Sequence, residues 1–151
     1  KDLTITHPKM TRFLMSLSNA TELVLHSLKF AKNGDIFIHK AKSSHVIDLA
    51  KACLKITKSK NKIKTIGIRA GEKVSEILAT SDELSVAVEH GKFWRIPFRK
   101  NLKEDNFYFK GTKKQKFNDY DSSSVKLENI DSLCKLITEN EEFKKNESQI
   151  I

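Results

Sequence analysis

Few folds accommodate a segment that leaves a short strand, bends on a glycine and carries a basic and an acidic side chain through the bend. Residues Ile63 to Leu78, IKTIGIRAGEKVSEIL, form such a segment. Ile63, Ile66 and Ile68 are β-branched and predict a short apolar strand, Gly71 supplies the bend, and the residues after it read as a helical run. Where a strand end feeds a helix start, unpaired backbone N–H groups and the positive end of the helix dipole attract anions. Arg69 adds a planar fork that matches phosphate oxygens. Arg69 and Glu72 lie three apart across Gly71, so one turn aims a phosphate donor and a hydroxyl acceptor at a single ligand, the shape of a nucleotide-sugar contact. The same spacing suits a surface turn with both side chains solvated.

A chain of 151 residues can bury a core, and one domain is expected. No run approaches the roughly 18 apolar residues of a membrane-spanning helix. The start, KDLTITHPKM, has no charged-then-apolar signal pattern and reads as a cut from a longer chain. Cys53 and Cys134 fall in predicted helices without metal-ligand spacing, which suits small buried thiols in a reducing, cytoplasmic compartment. The net charge of +9 invites a nucleic-acid reading. Its distribution argues against one: lysines are spread along the chain, and the concentrations at 58–64 and 110–116 have no interleaved aromatics for stacking. The arginines are Arg12, Arg69, Arg95 and Arg99, and in a lysine-rich chain an arginine suggests a place for bidentate geometry.

Taken in order, residues 2–5 read as a short edge strand, turned by His7-Pro8. Arg12 sits inside the apolar run Met10 to Met15. Ser18 is the expected N-cap of a helix over 19–32, with Ala20, Leu23, Val24, Ser27, Leu28 and Ala31 on its core face and Asn33-Gly34 ending it. A strand follows at 35–39, then a helix capped by Ser43 or Ser44 with Val46, Leu49, Ala50, Cys53 and Leu54 inward. This alternation predicts α/β architecture on a mostly parallel sheet whose remaining strands are missing. Beyond the central segment, Thr80 to Glu83 reads as a cap and one helical turn. Two strands, 86–89 and 92–98, meet at His90-Gly91, with Trp94, Ile96 and Phe98 on one face, Phe93 on the other, and Pro97 placing the second strand at an edge. Residues 101–119 form a lysine-rich loop insertion holding Phe107, Tyr108, Phe109 and Phe117, aromatics suited to docking. After the turn-forming Tyr120 to Ser124 comes an amphipathic helix over 127–140 with Ile130, Leu133, Cys134 and Ile137 inward. The organisation expected is one region over 1–140 and a polar tail over 141–151.

No Gly-x-Ser-x-Gly elbow, Gly-x-Gly-x-x-Gly cradle, Walker loop or Tyr-x-x-x-Lys pair occurs. The chain offers groups that position a ligand without a catalytic set, and no metal site is expected.

The runs Ile-Thr-His-Pro-Lys-Met-Thr-Arg-Phe (5–13), Glu-Leu-Val-Leu-His-Ser-Leu (22–28), Asp-Ile-Phe-Ile (35–38), Ile-Asp-Leu-Ala-Lys-Ala (47–52) and Ile-Gly-Ile-Arg-Ala-Gly-Glu-Lys (66–73) closely resemble the C-terminal half of the UDP-N-acetylglucosamine 4,6-dehydratases. These are extended short-chain dehydrogenases/reductases of bacterial polysaccharide and flagellin-glycan biosynthesis. The likeness runs to about Phe98 and resumes over 120–137 with a Tyr-x-Ser turn and last helix. It implies the C-terminal substrate-binding part of a Rossmann-like fold without the dinucleotide-binding half. By that resemblance Arg12 and Arg69 hold the diphosphate and Glu72 accepts from ribose hydroxyls. Thr6 and Met10 complete the substrate-binding set, with backbone around Leu3 to Thr6 near the uracil. NADP or NAD, the catalytic residues and the hydride transfer belong to the N-terminal half, so the fragment alone is expected to be inactive and to carry no cofactor. A homo-oligomeric parent enzyme is implied. A UDP-sugar 4-epimerase or oxidoreductase of the same superfamily is the alternative, and a basic module binding nucleic acid or an anionic surface is the alternative of another class. Departures from the family pattern are Ala70 where Pro is usual, His39, Ser75 and the basic insertion.

Overall fold

The structure is a computed structural model that describes residues 2–98, 118–140 and 143–145. In chain order its elements are β1 Leu3–Ile5, β2 Thr11–Leu14, α1 Leu17–Phe30, β3 Ile36–His39, β4 Lys42–His45, α2 Val46–Ile56 and β5 Ile63–Thr65. There follow β6 Ile77–Ala79, α3 Ser81–Leu84, β7 Val88–His90, β8 Phe93–Ile96, β9 Tyr120–Asp121 and α4 Ile130–Thr138. The aromatic-bearing stretch 101–117 and most of the tail lie outside the described residues.

The strands form small sheets: β1 beside β5, β2 beside β4, the order β3-β8-β7, and β6 beside β9. Among the described residues only the β1–β5 ladder is parallel; the others run antiparallel. The expectation of a mostly parallel sheet is therefore corrected. β1 and β5 are separated by both long helices, the kind of crossover a parallel pair requires, whereas β7 and β8 are joined by a tight turn that permits only antiparallel pairing. The edge position expected for the second of those strands is corrected too, since β8 is central between β3 and β7. Pro97 is accommodated because it follows Ile96, past the last ladder residue.

Phe93, Trp94 and Ile96 alternate across β8 as read from sequence, whereas Phe98 lies past the strand and is exposed. Ile96, with Trp94 packed alongside, joins Ile38, Ala79 and Leu84 in the core cluster. Phe93 turns the other way, toward α1, with its ring 4.4 Å from that of His26.

α1 starts two residues earlier than expected, because Ser16 rather than Ser18 caps it by accepting from the Asn19 amide at 3.1 Å. Its expected core face is corrected as well: no α1 residue is fully buried, and Val24 and Leu28 are 58% and 79% exposed. The half-buried stripe runs through Leu23, His26 and Ser27, where the rings of Phe37, His90 and Phe93 meet His26. Three short strands cover one stripe of a helix this long and no more. Beyond the helix, Gly34 takes a φ of +87°, and a Cβ there would stand 2.5 Å from Phe98 Cγ, so side chains are excluded on both counts.

Ser43 and Ser44 are not helix caps. Both are buried in β4, and His45 takes the N-cap of α2 without a side-chain bond. α2 packs on α4 through Ala52 and Leu133, both fully buried. Burial pushes the Cys53 thiol up, with Cys134 across the interface adding to the effect. α4 begins at Ile130, where Asn129 Oδ1 accepts from the Ser132 amide at 2.8 Å. α3 carries the expected cap, a reciprocal Thr80–Glu83 box. No helix among the described residues is long and apolar enough to cross a membrane.

Candidate functional site

After β5 the chain does not become a helix. Residues 66–76 are irregular up to β6, and Ile66 and Ile68 stand exposed outside any strand. The helical reading after Gly71 is corrected, and with it the helix dipole. The backbone of 74–76 is taken by tertiary partners: the Val74 carbonyl accepts from the Thr11 amide at 2.9 Å, the Glu76 amide donates to Ser122 Oγ at 2.9 Å, and the Glu76 carbonyl accepts from the Ser122 amide at 2.8 Å. Those bonds replace the i to i+4 ladder a helix would need.

The bend itself forms as expected. The Glu72 amide donates to the Arg69 carbonyl at 3.0 Å, closing a four-residue turn whose third position, Gly71, has φ +79°, the signature of a type II turn. Ala70 occupies the corner that proline presets most readily. The Glu72 carboxylate is held at both oxygens, by the Arg69 amide on Oε2 at 3.1 Å and the Thr6 hydroxyl on Oε1 at 3.2 Å. Thr6 also lies 3.3 Å from the Met10 sulfur, and both residues are buried. An acceptor anchored this way keeps its remaining lone pairs in a fixed direction.

Arg12 projects from β2 onto the same loop. Nη1 donates to the Thr11 carbonyl at 2.7 Å and Nη2 to the Lys73 carbonyl at 2.9 Å, while Nε stands 3.4 Å from Glu76 Oε1. Glu76 Oε2 in turn accepts from the Phe13 amide at 3.3 Å. Nη2 carries two hydrogens, and one has no acceptor among the described residues. The Arg69 side chain is exposed and has no polar partner among them. Thr6, Met10, Arg12, Arg69 and Glu72 thus meet on one hydrogen-bonded loop, where Arg69 is exposed, Arg12 keeps one N–H of Nη2 beyond its carbonyl and Glu76 contacts, and the Glu72 carboxylate is oriented.

Sequence reading missed Ser122, Thr11, Ser43 and Glu76, which fasten this loop from below. Ser122 carried the signal of a turn, and nothing local revealed partners 46 and 111 positions away.

Two other features lie apart from the loop. His26 Nε2 and His90 Nδ1 are 2.8 Å apart, and burial, followed by His90, holds the His26 imidazole below its ordinary range. A cavity of about 630 Å³ is walled by Leu17, Thr21, Leu25 and Phe30 of α1 with Asn140 and Lys145, and no residue of the 69–76 loop lines it. No cluster of three His, Cys, Asp or Glu side chains that could hold a metal occurs among the described residues.

The chain is similar to known proteins. The family described as "Polysaccharide biosynthesis protein" matches residues 1–97. Proteins named UDP-glucose 4-epimerase from Rickettsia bellii and Rickettsia akari are each 42% identical over 139 residues, covering 91% of this chain and 41% of theirs. The chain therefore spans about two-fifths of the length of the curated relatives it matches. The X-ray structure of Pen from Bacillus thuringiensis superimposes with a TM-score of 0.76 at 31% identity, over 93% of this chain and 40% of that one.

Proposed function

This chain belongs to the polysaccharide biosynthesis protein family and carries the C-terminal part of an extended short-chain dehydrogenase/reductase fold, and on that premise we propose that it binds the UDP-sugar substrate of a nucleotide-sugar enzyme. One observation carries the reading: a type II turn that joins Arg69 to Glu72 lies against the strand that bears Arg12. Arg69 offers its exposed fork to the diphosphate and Arg12 the one free N–H of Nη2, Arg12 arriving already oriented by the Thr11, Lys73 and Val74 carbonyls and by Glu76. Glu72 accepts from the ribose diol, its direction fixed by Thr6 and its own turn. The backbone around Leu3 to Thr6 stands near the uracil, and Thr6 and Met10, in contact at 3.3 Å, complete the substrate-binding set.

The finer reading is a UDP-N-acetylglucosamine 4,6-dehydratase, on the Met-Thr-Arg-Phe and Arg-x-Gly-Glu-Lys motifs. A 4-epimerase is the second reading, favoured by the name the Rickettsia relatives carry. NADP or NAD supplies hydride chemistry in either, and this chain's residues offer it no cradle, since the sequence holds no Gly-x-Gly-x-x-Gly turn. No step at the cofactor is therefore assigned to these residues; they bind and orient. Joined to a dinucleotide-binding half, a dehydratase gives a product lighter by one water in mass spectrometry, whereas epimerisation leaves the mass unchanged.

Binding is tested on the chain itself by calorimetric titration with UDP, and with duplex DNA across a salt series. A saturable UDP response that Arg69→Ala abolishes is expected. DNA binding with a steep salt slope and no UDP response overturns the reading in favour of a basic binding module.

A further inference from the structure

The proposed ligand groups stand on two segments far apart in sequence, β2 and the 69–76 loop. The turn after β9 fastens one to the other. Ser122 is fully buried and spends its polar groups on three segments. Its amide donates to the Glu76 carbonyl at 2.8 Å, and its carbonyl accepts from Ser43 Oγ of β4 at 2.5 Å. Its hydroxyl accepts from the Glu76 amide at 2.9 Å and pairs with Thr11 Oγ1 of β2 at 2.8 Å. Both backbone groups of Glu76 therefore end on one residue. Thr11, which shares that hydroxyl, is also the residue whose amide holds the Val74 carbonyl, and it immediately precedes Arg12. One position earlier in the loop, Ser75 Oγ donates to Asp121 Oδ2 at 2.7 Å, a second fastening from the same turn.

We propose that Ser122 is a positioning residue of the ligand site: its buried hydroxyl clamps Glu76 to Thr11 and so sets the register in which β2, with Arg12, lies against the loop that carries Arg69 and Glu72. The inference rests on the UDP-sugar reading above and adds a residue that touches no ligand. A side chain here has to be small enough for a fully buried position and must offer an acceptor to one backbone amide together with a partner to one hydroxyl, requirements that serine meets. Removing the hydroxyl strands the Glu76 amide without its acceptor and leaves the loop held by Val74, Ser75, the Arg12 fork and the Ser122 amide on the Glu76 carbonyl.

The test compares the unaltered chain, Ser122→Ala, Ser122→Cys and Leu133→Ala by UDP titration and by amide hydrogen exchange at Glu76. Leu133 is fully buried between α4 and α2, away from the turn, and its truncation lowers stability without cutting the clamp. Ser122→Cys keeps the shape and weakens the acceptor, so it remains informative where the alanine variant fails to fold. Expected are UDP binding weakened about ten-fold in Ser122→Ala, the scale of one lost buried partner, an intermediate effect in Ser122→Cys, and faster exchange at Glu76 in both. Leu133→Ala is expected to keep its UDP affinity within about two-fold. UDP affinity and Glu76 exchange unchanged in both Ser122 variants would falsify the clamp, and so does a Leu133→Ala loss of affinity equal to that of Ser122→Ala. A flat titration of the unaltered chain overturns the UDP-sugar reading and this inference's ligand with it. A saturable titration that survives loss of the hydroxyl overturns the inference alone.

Discussion

Asp35 shows how much one side chain can hold. Its carboxylate is 3% exposed and collects the Lys32 amide at 2.8 Å, the Phe98 amide at 3.2 Å and two nitrogens of Arg95, each at 2.7 Å. Burial pushes this carboxyl up, but the amide bonds and the guanidinium together outweigh it and hold the group below its ordinary range. Asp35→Ala leaves Arg95 unpaired and two amides without an acceptor, and a loss of about 3 kcal/mol in urea unfolding is expected. The pH dependence follows from the direction of the shift. With the folded value below the unfolded one, the contribution is complete above the unfolded value near 3.9 and disappears as pH falls through the folded value. Unfolding curves between about pH 5 and pH 2 are therefore expected to converge for the wild type and Asp35→Asn, and parallel curves count against the assignment. At this scale the sequence was readable where chemistry is local. Arg69, Gly71 and Glu72 sit within one turn, so spacing sufficed; Ser122 acts through partners that only the folded chain brings near.

α1 and the loop after β5 are where local pattern and tertiary context part. The 3.6-residue apolar period of α1 was legible, but the helix stops at Phe30 with Ala31 extended, before Asn33-Gly34, which lie in a separate turn closed by the Asp35 amide on the Lys32 carbonyl, and which face is covered depends on the sheet beside it. Val74 to Leu78 has a pattern compatible with a helix, and its backbone groups instead serve β2, Ser122 and β9. Propensity set the expectation, and long-range hydrogen bonds overrode it. The contact of α1 with the sheet carries its own titration. His26 on α1 meets His90 on β7, with Phe30, Phe37 and Phe93 around them and the charges of Glu22 and Lys29 nearby on the helix. His39 of β3, its ring 5.6 Å from that of Phe93, is likewise held below its ordinary range, first by burial. A depressed histidine favours the neutral ring in the fold, so its stabilisation is complete above the unfolded value near 6.5 and lost as pH falls through the folded value. Urea midpoints are expected to fall between about pH 7.5 and pH 5, and His26→Phe to flatten that slope. A slope unchanged in that variant assigns the titration elsewhere.

For the whole molecule, the expected α/β class stands, with its strands distributed over several small sheets. Two features of its surface pull in opposite directions. Leu17, Val24, Leu25 and Leu28 line an exposed stripe of α1, Ile66 and Ile68 are exposed beyond β5, and the β1–β5 ladder, a parallel pair of a type usually covered on both faces, has no further strand beside it among the described residues. Against the association these surfaces favour stands a net charge of +9, which repels copies of the chain from one another. Salt separates the two terms. Between about 0.1 M and 1 M the screening length falls from ~10 Å to ~3 Å, which removes the repulsion while leaving apolar burial in place. The mass of the chain by light scattering is therefore expected to rise from that of one 17.3 kDa copy as salt increases. Val24→Glu combined with Leu28→Glu places charge on the stripe at two solvent-facing helix positions, so the helical circular dichroism stays and the salt-induced mass increase shrinks. A single-copy mass maintained at the highest salt shows instead that the stripe is too small or too dispersed to drive association. A mass increase untouched by the double substitution moves the adhesive surface away from α1, toward the outer edges of β1 and β5, which have no strand partner among the described residues.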